Sequence, residues 1–462
     1  MIPRSCWNAC LGALVCVCLL AGPAQGSAQQ FTQFFTVDCS NPSADYPTIG
    51  SALAAATNNS YIYVVPGTTC TENVTVSYLT NIAISTDWMQ TFALSGNLHI
   101  QSSRSVQIQG MVVTNPYGDG IDVNNSSDVV LTFVQSVNNA GTGLGIYTAS
   151  EVSIAGGGTY NNNGNLGINA GGNSTLGIVA WGGTVDISNN MGQGINLDRS
   201  VMYALGPITI TNTHAVPGGT YPNGFGFNEF ASKASLFALF GPISITSNEG
   251  GGISLEESSE LSTGGNQSWA PYSETIQGNG PLGIAMVYAN SLTLVGGMTI
   301  SDHTTAGVSL YGNSQAAIYN LNQIANSNQI VHNATGTDPE RAGIVVDNGS
   351  QIYLNGASIQ NSGGPGILGR MHATLDVEGS TFTANAAGAI VCDASTALET
   401  DLARSVLGPA NACKVAASGN QHQHGAGNMS QAIPDWRKMK ARAMKIGQMH
   451  SSRSPNATPA PK

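Results

Sequence analysis

The residues of this 462-residue chain best suited to chemistry are carboxylates, amides and one guanidinium that recur at similar intervals. Asp198 and Arg199 are adjacent, with Asn196 two residues before them. A carboxylate that helps hold Ca²⁺, beside an arginine that takes an α-proton, would suit uronate elimination. Asp198 and Glu256 would alternatively supply the two carboxyls of glycoside hydrolysis, which stand ~5–9.5 Å apart. Asp122, Asn169, Asn196 and Asn228 could exchange hydrogen bonds with sugar hydroxyls, and Tyr147 and Tyr221 could stack on sugar faces. Each such bond contributes only ~0.5–1.5 kcal/mol, so several must act together. No Ser-His-Asp, zinc-ligand or phosphate-loop pattern stands out. All these roles require a fold that sets the residues on one face.

A repeat could do this. Asp119-Gly120-Ile121-Asp122-Val123 opens a series that continues at Gly145-Ile146, Gly167-Ile168, Gly194-Ile195, Gly226-Phe227 and Gly252-Ile253, and then at Gly283-Ile284, Gly307-Val308, Gly343-Ile344, Gly366-Ile367 and Ala389-Ile390. Self-similarity at this period marks a solenoid whose repeats bury their apolar faces against one another. A serine follows the apolar position in most repeats, by four to seven residues (Ser127, Ser150, Ser174, Ser200, Ser259, Ser291, Ser314, Ser350). An Asn or Asp precedes it (Asn163, Asn190, Asn248, Asn279, Asp302, Asn361, Asn385). Short runs such as Val129-Val130-Leu131 and Ile352-Tyr353-Leu354, bounded by Gly, Asn and Ser, read as strands. Three strands and three turns per coil make a parallel β-helix with equivalent residues ~4.8 Å apart. The glycine is expected to supply a positive φ or a tight bend, and the Asn amides to bond from coil to coil. Strand alternation turns the Ile inward and the next residue outward. The outward column then reads Asp122, Tyr147, Asn169, Asn196, Asn228 and Ser254, with Asp198, Phe230 and Glu256 two positions on. Asp198 and Glu256 would stand two coils apart, ~10 Å at the backbone. Glu229 falls on an inward position, which reads as a register shift.

The Gly-Ile coil, the Asn series and the opening segment YPTIGSALAAATNNSYIYVVPGTTCTENVTV (46–76) resemble the right-handed parallel β-helix of the pectate lyase-like superfamily. The resemblance spans about 38–395. It implies an all-β solenoid of eleven or more coils, closed at its N-terminal end by an amphipathic helix, which Ile49, Ala52, Leu53 and Ala56 would face inward. In enzymes of that superfamily the substrate lies along the strand that here begins with Gly-Ile. The same scaffold carries lyases, hydrolases, epimerases, esterases and non-enzymatic surface proteins. Two readings therefore stand. One is recognition of a polysaccharide along one outer sheet face, with or without cleavage by a lyase or glycoside hydrolase. The other is a non-catalytic structural or adhesive surface solenoid. The segment YGDGIDV (117–123) resembles the Asn-Thr-Asp-Gly motif of polygalacturonases, with Asp119 as the matching acid. The Asp-Asp, Gly-His-Gly and Arg-Ile-Lys motifs of that family are missing, so this activity is not expected and the turn accounts for Asp119.

Residues 1–28 read as a signal peptide: Arg4, an apolar run from Leu11 to Ala21 too short to span a bilayer, and a small-residue cleavage site. Secretion, to a periplasmic or extracellular space, follows. Residues 29–78 would form the cap and first strand, 79–395 the β-helix, 396–417 a C-terminal cap with a helical segment, and 418–462 a flexible basic tail. In an oxidising compartment two sequence-local cysteine pairs, Cys39 with Cys70 and Cys392 with Cys413, would form disulfides at the two ends. The net charge is −11; with Arg4 giving +1 and the tail +6, the body carries about −18. That disfavours nucleic acid, and disfavours acidic polysaccharides unless Ca²⁺, the one cofactor entertained, bridges them. A monomer without a membrane anchor is expected. Loops 213–225 (His214, Tyr221, Phe225) and 334–342 (Asp338, Glu340, Arg341), and an insertion near Trp269 and Tyr272, are where binding residues could cluster. His422 and His424, and a basic amphipathic run from Pro434 to Met449, are the tail's features.

Overall fold

The computed structural model describes residues 31–180, 183–218, 224–230, 236–239, 242–264, 274–319, 328–400 and 413–415. Residues 1–28, expected to be a signal peptide, together with Tyr221, Trp269, Tyr272, His422, His424, the 434–449 run and the rest of the tail, lie outside them. One helix, α1 (Ile49–Ala55), is present among the described residues; the other elements are short strands. The strands pair in parallel, each with its counterpart in the next coil, as in Ile168–Gly171 against Ile195–Asp198. Thirteen of them form one sheet, and the long strands Val129–Ser136 and Glu151–Thr159 join the two remaining ladders into a second. The protein is a parallel β-solenoid, with a core that runs its length as stacked aliphatic columns.

The inward column of the thirteen-stranded sheet is Val74, Leu98, Ile121, Leu144, Ile168, Ile195, Phe227, Ile253 and Ile284, then Val308, Ile344, Ile367 and Ile390. Burial of each such side chain contributes ~1.5–3 kcal/mol. Ile146 departs from expectation. It pairs with Val123 and Ala170 in the neighbouring inward column, and Leu144 holds the place assigned to it. The segment Gly143-Leu144-Gly145-Ile146 contains two glycine–aliphatic doublets, and the stack takes the first.

The column glycines act through close approach and not through positive φ. A Cβ on Gly167 would lie 2.5 Å from an Ile187 methyl and 2.8 Å from the Asn190 amide nitrogen. Gly226 would meet Ile245 and Asn248 in the same way. These glycines let each coil fold against the buried amide ladder. In that ladder Asn139 Nδ2 donates to Asn163 Oδ1 (2.8 Å), Asn163 Nδ2 to Asn190 Oδ1 (2.9 Å), and Asn248 Nδ2 to Asn279 Oδ1 (2.8 Å). Farther along, the ladder positions belong to His303 and Ser362, not to Asp302 and Asn361. Asp302 and Asn361 are the preceding turn residues, at φ 64° and 53°. Asn and Asp suit a left-handed turn and Asn suits a ladder, so adjacent positions attract the same residue types. The serine series shifts likewise, to Ser126 and Asn290 in place of Ser127 and Ser291.

Helix α1 begins with a capping box between Thr48 and Ser51. The Glu72 carboxylate accepts from the Ile49 and Gly50 amides at 2.7 and 2.9 Å, next to the positive end of the helix dipole. Ile49, Ala52 and Leu53 are buried, and the helix packs on strands Gln33–Val37, Ser60–Val64 and Val74–Ser77. Both disulfides, Cys39–Cys70 and Cys392–Cys413, are present. At the C-terminal end Ala397–Thr400 is a strand where a helical segment was expected; it pairs with Thr374–Glu378 and with Lys414–Val415. Ala, Leu and Glu favour a helix locally, and pairing with the open edge of Thr374–Glu378 overrides that preference.

Candidate functional site

The residue after many strands of the thirteen-stranded sheet adopts the left-handed region: Asn125, Thr148, Gly172, Arg199, Glu257, Tyr288 and Gly312 have φ between 47° and 69°. Strand alternation alone would turn Arg199 away from Asp198. The strand ends at Asp198, and the turn brings the guanidinium back, with Nε 3.2 Å from Asp198 Oδ1 and Nη2 3.2 Å from Oδ2.

The outward column is Asp122, Gly145, Asn169, Asn196, Asn228 and Ser254. Gly145 thus takes the place expected for Tyr147, which stands two residues on. The Tyr147 ring nevertheless lies back over Gly145, where an added Cβ would fall 2.5 Å from a ring carbon. Its hydroxyl therefore reaches Asn169, accepting from Nδ2 at 3.1 Å. Asn196 Nδ2 donates to Asn169 Oδ1 and Asn228 Nδ2 to Asn196 Oδ1, each at 2.8 Å. This chain orients every amide in one sense. Burial pushes the Tyr147 phenol up; the Asn169 hydrogen bond opposes this, and Asp119 and Asp122 add to it.

Between Tyr147 and Asp198, at the same column position, stands Gly171. A Cβ there would meet only ordinary contacts, 3.8 Å from the Tyr147 ring and 4.0 Å from Asp198. The missing side chain leaves a cleft of about 500 Å³ lined by Tyr147, Thr148, Asn169, Gly171, Gly172, Asn196, Asp198 and Arg199. The sequence reading passed over Gly171 and Gly172. A strand glycine on an outward position between a ring and a carboxylate was the available signal.

Five of the expected residues thus meet: Tyr147, Asn169, Asn196, Asp198 and Arg199. Asn228 is buried and orients Asn196 instead of facing a ligand. Asp122 is half-buried outside the cleft and accepts from Asn97 Nδ2 at 3.0 Å; burial raises its pKa against that bond. Asp119 accepts from the Thr142 amide, a turn contact. Glu256 does not line the cleft; it accepts from Ser254 Oγ at 3.1 Å, and burial pushes it up. The Phe230 strand position separates it from Asp198. Glu229 pairs in unbroken register with Leu197 and Leu255, so the expected register shift is absent from the backbone pairing.

The described residues of the inserted loops do not line the cleft. His214 Nδ1 lies 3.1 Å from Glu249, and Phe225 is a buried strand residue. Glu340 is held by Arg370 at 2.7 and 2.8 Å, and Arg370 Nε donates to Asp347 at 2.7 Å. Among the described residues, the group with metal-ligand spacing is Cys39, Cys70 and Glu72, whose cysteines form a disulfide and whose carboxylate caps α1. Among the described residues no helix is long and apolar enough to cross a membrane.

No protein-family model and no curated protein matches this sequence. Several solved structures are similar in fold. The pectate lyase Pel9A has TM-score 0.38 and 12% identity, over 56% of this chain and 77% of its own. The A-module of the mannuronan C-5 epimerase AlgE6 of Azotobacter vinelandii has TM-score 0.36 and 14% identity, over 80% and 93%. A mannuronic acid specific polysaccharide family 6 lyase from human gut microbiota has TM-score 0.33 and 9% identity, over 90% and 99%.

Proposed function

We propose that this protein is exported and recognises a neutral saccharide in the Tyr147–Arg199 cleft. The observation that carries this reading is the gap at Gly171, between an aromatic wall and an ion pair, above amides pre-oriented by their own ladder. Sugar rings offer CH faces to the tyrosine and hydroxyls to Asn169 and Asn196. Pre-orientation lowers the entropy lost on binding. A neutral ligand fits because Arg199, the cation of the lining, is already paired with Asp198. The lining holds one carboxylate, far short of the six to eight oxygen ligands that Ca²⁺ takes. Recognition is favoured over cleavage because Asp198 has both oxygens engaged and Glu256 stands outside. The two disulfides support an oxidising compartment.

A glycan array probed with the wild type and with Gly171→Leu, with and without EDTA, tests this. Neutral glycans should bind regardless of EDTA, and the variant should lose at least about tenfold in affinity, ~1.4 kcal/mol, with its melting temperature kept. Failure of the wild type to bind any glycan, with or without Ca²⁺, would leave the structural-solenoid reading in its place. Release of oligosaccharide that Asp198→Ala abolishes would instead make the protein an enzyme.

A further inference from the structure

The cleft occupies one stretch of a longer rim, made by the ends of the strands and the turn residues that follow them. Nine large apolar side chains are exposed among the described residues, and four of them (Tyr78, Tyr288, Tyr311 and Met371) stand on this rim. Tyr311 follows Asp198 in unbroken register through Phe230, Glu256 and Val287. Tyr288 is the turn residue next to it. Their ring centroids are 5.8 Å apart with planes at 71°.

Packing does not account for Tyr288. Its backbone has φ 68°, at a turn position that in other coils holds Asn125, Thr148, Gly172, Arg199 and Glu257. The ring lies against Gly312, where a Cβ would come within 2.7 Å of a ring carbon, yet Tyr288 is 56% exposed and Tyr311 40%. Burial does not select two aromatic residues here. Two exposed rings in mutual contact, on the rim that carries the cleft, point to a ligand.

We infer that Tyr288 and Tyr311 form a second saccharide-stacking subsite, which engages the same polysaccharide chain as the cleft. This rests on the saccharide reading of the cleft. The pair stands three to four strand spacings beyond Asp198, ~14–19 Å along the solenoid. Glu256 and Glu257 lie on the intervening rim, so the bridging chain is neutral. A disaccharide reaches one site at a time, whereas a long chain occupies both. The second contact is then intramolecular and raises affinity without altering the first.

The test is calorimetric titration of the wild type and of the Tyr288→Ala/Tyr311→Ala double variant. The probes are disaccharides and octasaccharides of β-1,4-linked glucose, xylose and mannose, with their parent polymers. The wild type should bind octasaccharide or polymer at least about tenfold more tightly than disaccharide. The double variant should lose that gain and keep the disaccharide affinity, with circular dichroism and melting temperature unchanged. Equal loss on short and long probes, or no loss on long ones, overturns the second subsite. Wild-type binding that ignores chain length also overturns it and leaves the cleft standing. No binding at any length overturns both.

Discussion

At the scale of single residues, the least ordinary group is Glu274. Its carboxyl is buried at the start of strand Glu274–Gln277, and Oε2 has no hydrogen-bond partner among the described residues. Burial pushes its pKa up to about 8. The unfolded chain therefore releases the proton first, near the ordinary value of 4.5. Stability from this group is complete below that value, falls as pH rises towards 8, and is flat above. Glu274→Gln should flatten this slope and raise the melting temperature at pH 8 by several degrees, with little change at pH 4. Parallel melting curves of variant and wild type across that range would show that Glu274 does not carry the linkage. Residue types alone could not indicate this, because Glu274 looks like a solvated strand residue until the coil closes around it. The Tyr147–Gly145 contact has the same origin. Alternation assigns Tyr147 to a column, and only the bare Gly145 surface lets its ring recline onto another.

At the scale of elements, the asparagine ladder and its glycines shape each coil. Asn163 accepts from the Asn139 amide nitrogen (3.2 Å) and side chain (2.8 Å) and donates to Asn190. Asn163→Ala would leave several buried polar groups unpaired, each costing ~1–3 kcal/mol. Denaturant titration should therefore find stability lower by roughly 2–4 kcal/mol; an unchanged midpoint would mean that the ladder is incidental. The ladder's existence was legible from spacing, but its membership was off by one residue at Asp302, Asn361, Ser127 and Ser291. Turn and ladder sit side by side in the chain and favour overlapping residue types. A periodic pattern marks the neighbourhood, and the hydrogen-bond register chooses the member.

At the scale of the whole molecule, a solenoid is stabilised coil by coil, so perturbations stay local. Cys392–Cys413 closes a segment whose sequence separation is 21, and loops of this size contribute ~3 kcal/mol in the chain-entropy account. The Cys392→Ala/Cys413→Ala variant should speed amide exchange in strands Ile367–Gly369, Thr374–Glu378 and Ala397–Thr400 and leave Ile121–Asn124 to Ile195–Asp198 unchanged. Uniform acceleration along the chain would contradict local stabilisation. Non-reducing mass spectrometry of the wild type should recover Cys39–Cys70 and Cys392–Cys413. The sequence by itself determined the parallel β-helix, the aliphatic column, both disulfide pairs and five of the eight cleft residues, because period and alternation are properties of the chain. Only the tertiary structure decided which doublet of Gly143-Leu144-Gly145-Ile146 stacks, that Arg199 turns back to Asp198, that Asn228 is covered and that Gly171 opens the cleft. Each of these depends on what the neighbouring coil places ~4.8 Å away, and no residue carries that information alone.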